Sequence, residues 1–167
     1  MGLLIAALGA TLAAIVESSM LTQLFVGGVK PDLVLSLGLA MVMVLGFEHG
    51  MVWAVVGGLL LDLLLADRAV GSTTLALLLV TGAAILVARL SEVPRLSIIA
   101  LTVFILTFLY QALLMLLLAV TTGTAIQPIT VLSYAFIGLM NTAIAVAAAW
   151  GVLTLERRFG MDERVAW

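Results

Sequence analysis

Phe47-Glu48-His49-Gly50-Met51-Val52-Trp53-Ala54-Val55-Val56-Gly57-Gly58-Leu59-Leu60-Leu61-Asp62-Leu63-Leu64-Leu65-Ala66-Asp67-Arg68-Ala69-Val70-Gly71 runs from one polar break, through an apolar segment, to a second polar break. Inside the apolar part sit a glycine pair, Gly57-Gly58, and one carboxylate, Asp62. Hydrocarbon favours neither without a reason. Glycine lets a second helix come close. An aspartate at membrane depth needs a partner or a wet surface.

Composition shows that membrane is the right frame. Of 167 residues, 65% are hydrophobic and 10% charged, against about 25% charged in soluble domains. The mean hydropathy is +1.36, which belongs to an integral membrane protein. The length suits one membrane domain. A net charge of -2 gives no reason to expect nucleic-acid binding, and the absence of cysteine excludes disulfides and thiolate metal sites. The first ten residues lack the basic start of a cleavable signal and read as the opening of a retained helix.

Working outward, charges and turn residues divide the chain into six apolar segments, about 3–25, 33–47, 51–66, 69–88, 96–120 and 129–155. Spanning helices need about 20 mostly apolar residues. The segments are too long and too uniformly apolar for membrane strands, which alternate over about ten positions. The expectation is an all-α membrane protein of six transmembrane helices. The second segment covers only about 22 Å of a core about 30 Å thick and is read as a short span. Glu48-His49-Gly50 is read as the break after it. Pro31 is placed in the first turn of the second helix, with Asp32 near its positive end. Six spans put both termini on one side, with Arg89, Arg95, Arg157, Arg158 and Arg164, against Lys30 and Arg68 opposite. The positive-inside rule makes the termini cytoplasmic.

Glu17 and Asp62 are the acids within spans, and both fall toward the outer side with Lys30, Asp32, Asp67 and Arg68. Intramembrane acids are functional candidates. The competing reading is local capping and pairing, with Lys30 and Arg68 as partners of the acids. Asp62 and Pro31-Asp32 are expected to form one network at the outer ends of the second and third helices. His49 is the sole histidine and reads as interfacial. No set of residues has metal-ligand spacing, catalytic pairing or a phosphate loop. The expectation is therefore no cofactor, no metal and no enzyme activity. Small residues form three seams: Ala6, Ala10 and Ala14; Gly57-Gly58; and Ala143, Ala147 and Gly151 beside Asn141. Such seams mark close packing, either within the bundle or against a partner.

Pro31-Asp32-Leu33-Val34-Leu35 opens a span. Gly46-Phe47, Gly50, Gly57-Gly58-Leu59-Leu60-Leu61-Asp62-Leu63-Leu64 and Gly71 follow in order. In this order and spacing the chain resembles the bacterial rod shape-determining family MreD, over about residues 30–75. The resemblance implies a non-enzymatic elongasome scaffold in the inner membrane, acting in peptidoglycan synthesis and cell shape. It implies an MreC-like bitopic partner, with links to MreB, RodA and a class B penicillin-binding protein. It also implies the fold of the substrate-binding subunits of energy-coupling-factor transporters, whose first helix carries an Ala-x-x-x-Ala docking seam like Ala6, Ala10 and Ala14. Two other readings stay open: a vitamin-type substrate-binding subunit, and a small ion-coupled transporter using Glu17 and Asp62.

Overall fold

The structure is a computed structural model that describes residues 2–19, 30–65, 70–90, 96–122 and 131–159. These form six helices: α1 (Gly2–Ser19), α2 (Leu33–Leu45), α3 (Phe47–Leu64), α4 (Ser72–Leu90), α5 (Leu96–Thr122) and α6 (Val131–Phe159). Among the described residues there is no strand. Five of the helices are long and apolar enough to cross a membrane, and α2 is the exception. The chain is a multi-pass membrane protein. Its outer faces carry bare hydrocarbon, such as Leu4, Ile5, Leu8 and Leu12 on α1. In water that surface would be an aggregation hazard, whereas in a bilayer it is the ordinary solvent-facing side.

Two local expectations are corrected. The break between the second and third segments is not Glu48-His49-Gly50. It is the single residue Gly46, whose φ of 92° is a backbone conformation that glycine adopts without steric cost. Phe47 already begins α3, and Glu48 stands in its first turn, where the helix dipole favours an acid. Pro31 does not enter α2 either. It precedes the N-cap residue Asp32, and the helix begins one residue later.

The helices alternate in direction. Substitution of Gly2 would meet His49, and of Gly9 would meet Trp53, so α1 runs parallel to α3. A side chain at Gly50 would collide with Val42, at Gly38 with Trp53, and at Gly57 with Val34. Those three pairs fall in antiparallel register and hold α2 flat along α3. The start of α1, the end of α6 and the Gly46 turn lie at one end of the bundle. Ala10 is fully buried and lies 3.7 Å from where a Gly57 Cβ would be. The α1 alanines and the α3 glycine therefore meet in one seam.

α2 touches all five other helices. Most of its residues are buried, from Val34 to Val44. It is the central post of the bundle and also its shortest helix, about 20 Å long. Its first turn lies opposite Gly57, about 15 Å along α3 from Phe47. Beyond that level α3 continues for about 10 Å, α5 for about 16 Å past Gln111, and α6 for about 15 Å back to Val131. The N-terminus of α2 thus lies partway along the bundle, with Asp32 and Val34 buried, so its free N–H groups need acceptors from the protein.

Candidate functional site

A helix start leaves backbone N–H groups without intrahelical partners. At membrane depth each must be satisfied by protein, because lipid offers no acceptor. α2 and α4 both solve this with an acid from the preceding odd-numbered helix.

At α4, the acceptor is Asp62. Its Oδ1 accepts from the Thr73 N–H at 2.9 Å. Its Oδ2 accepts from the Gly71 N–H at 2.9 Å, the Thr74 N–H at 3.1 Å and the Thr74 hydroxyl at 2.9 Å. Asp62 is 3% exposed. The carboxylate also stands at the positive end of the α4 dipole. Gly58 lies one turn before Asp62 on the same face, and a Cβ there would come 2.6 Å from the Thr74 Cα. So Gly58 brings the backbone of α4 close, and Asp62 then closes over its first turn. Gly71, with φ 99°, makes the turn into that cradle. Gly58-x-x-x-Asp62…Gly71 is one device for building a helical hairpin.

At α2, the acceptor is Glu17 of α1, 3% exposed, whose Oε2 accepts from the Val34 N–H at 2.8 Å. Asp32 makes no side-chain cap of its own helix. Its N–H donates to Asn141 Oδ1 of α6 at 2.9 Å. Its carboxylate Oδ2 accepts from Gln111 Nε2 of α5 at 2.8 Å, with a longer approach from Asn141 Nδ2 at 3.5 Å. Asn141 Nδ2 also approaches Thr107 Oγ1 at 3.4 Å. The Asp32 carbonyl receives the Ser36 N–H and hydroxyl, at 3.0 and 2.6 Å. Trp53 Nε1 on α3 donates to the Val34 carbonyl at 2.9 Å. The start of α2 is therefore tied to α1, α3, α5 and α6 at once.

The expected single network of Asp62 with Pro31-Asp32 is replaced by two sets of hydrogen bonds. Asp62 serves α4, and Asp32 serves the α5–α6 pair. The cause is the antiparallel packing. α2 starts beside Gly57, more than a turn short of Asp62, so its first residues meet α5 and α6. Glu17 belongs with the α2 set, through Val34. Lys30 is half-buried just ahead of Pro31. Arg68 lies outside the described residues.

The three small-residue seams divide. Ala6, Ala10 and Ala14 are buried and pack toward α3. Gly57 and Gly58 are buried between α2, α1 and the start of α4. Ala143 and Ala147 are exposed on α6, and a Cβ at Gly151 would meet nothing within 4 Å. That row faces away from the bundle, while Asn141, Ala145 and Ala149 on the other face are fully buried. Gln111, Asn141 and Thr107 carry roles that no local sequence signal marked. The one available hint is an uncharged amide in each of two otherwise apolar spans.

Among the described residues there is no group of three or more His, Asp or Glu able to hold a metal ion. No family model matches the chain, and no curated protein and no solved structure matches it.

Proposed function

We propose that the chain is a non-enzymatic membrane scaffold of the MreD kind. In this reading it sits in the bacterial inner membrane with its termini in the cytoplasm. It holds an MreC-like bitopic protein by helix packing, and through it influences the placement of the peptidoglycan synthase. MreB, RodA and a class B penicillin-binding protein are its more distant associates.

The observation that carries this reading is the use made of the intramembrane carboxylates. Glu17 accepts a hydrogen bond from the start of α2, and Asp62 accepts several from the start of α4. The residues behind the family likeness, Gly58, Asp62, Gly71 and Asp32, build hairpins and fix the central helix. A protein whose polar residues serve a rigid bundle is suited to presenting surfaces. The row Ala143, Ala147 and Gly151 is the surface we assign to the partner's single helix, since small residues allow close approach in lipid.

The test is co-expression with an MreC-like bitopic protein and affinity capture of either member. Stoichiometric recovery of both is expected. Recovery of this chain alone, from a membrane where both are abundant, would sink the scaffold reading.

One observation favours a second reading, a substrate-binding subunit of a vitamin-type transporter. α2 stops short inside the bundle, and Asp32, Gln111 and Asn141 gather at its end. Interrupted helices with polar ends at mid-membrane depth are where transporters bind their substrates. A small molecule retained stoichiometrically through purification would favour that reading.

A further inference from the structure

We draw no further inference here: the strongest candidate, the lengthwise opening between α1 and α6, which do not touch and between which the ridge Leu33, Leu37, Met41 and Leu45 of α2 is only half-buried, is an unpartnered apolar face, and nothing in the structure shows what covers it.

Discussion

Replacing Asp62 with alanine removes the acceptor for three backbone N–H groups and for the Thr73 and Thr74 hydroxyls at the start of α4. An intramolecular hydrogen bond contributes about 1 kcal/mol net, and an orphaned buried donor costs about 1–3 kcal/mol. Loss of an ordinary helix cap costs about 1 kcal/mol. Gly71 and Thr74 are only half-buried, so water can replace part of what is lost there. Thr73 is fully buried, so its N–H carries the full penalty. The expected destabilisation is about 3 kcal/mol, a large share of the 5–15 kcal/mol typical of a folded chain. Asp62→Asn should cost about half as much. Its amide oxygen can take the three-bond Oδ2 position, but its NH2 then opposes the Thr73 N–H. Thr74→Val, which deletes only the hydroxyl bond, should cost about 1 kcal/mol. The assay is reversible unfolding in mixed micelles by denaturing detergent, followed by Trp53 and Trp150 fluorescence. The predicted order of loss is Asp62→Ala, then Asp62→Asn, then Thr74→Val. An Asp62→Ala protein within 0.5 kcal/mol of wild type would refute the capping role.

Further outcomes follow from the same geometry. Gly58→Ala should lower thermal stability sharply, because the new Cβ meets the Thr74 backbone at 2.6 Å and overpacking of this kind costs about 1–3 kcal/mol. Gly82→Ala is its control: nothing lies within 4 Å of the new Cβ, and the gain in helix propensity should stabilise by up to about 1 kcal/mol. Both are read by thermal melts in one detergent. Asn141→Leu leaves the Asp32 N–H without its acceptor and should cost about 2–3 kcal/mol, with faster hydrogen exchange at the start of α2. Equal exchange in the two proteins would mean that Asn141 does not hold that helix end.

The six-helix, all-α plan was legible because hydropathy at membrane length admits few alternatives. The turn at Gly46 was hidden for a physical reason. One glycine with positive φ reverses the chain without any polar loop, so the polar pair Glu48-His49 shortly after it drew the boundary instead. The Asp62 device was half legible. The spacing of Gly58 and Asp62 puts both on one face, and Gly71 marks a turn, but which helix end they served depended on α4 folding back. The Asp32 cluster was not legible. Its partners are 79 and 109 residues away, they are neutral amides, and only the packing of the short α2 between α5 and α6 brings them together. The α6 row of Ala143, Ala147 and Gly151 looks in sequence just like the α1 row of Ala6, Ala10 and Ala14. Burial alone separates the packed seam from the open one.

The central claim, that the bundle is a rigid scaffold docking a bitopic partner, is tested most directly by disulfide mapping. The chain contains no cysteine, so single cysteines can be placed at Ala143, Ala147 and Gly151 on α6, and at Leu4 and Leu8 on the exposed face of α1. Each is co-expressed with an MreC-like protein carrying one cysteine in its membrane helix, and oxidised in native membranes. The predicted result is cross-linking confined to the α6 positions, strongest at one helical phase of the partner. No cross-link at α6, or equal cross-linking at Leu4 and Leu8, would contradict it.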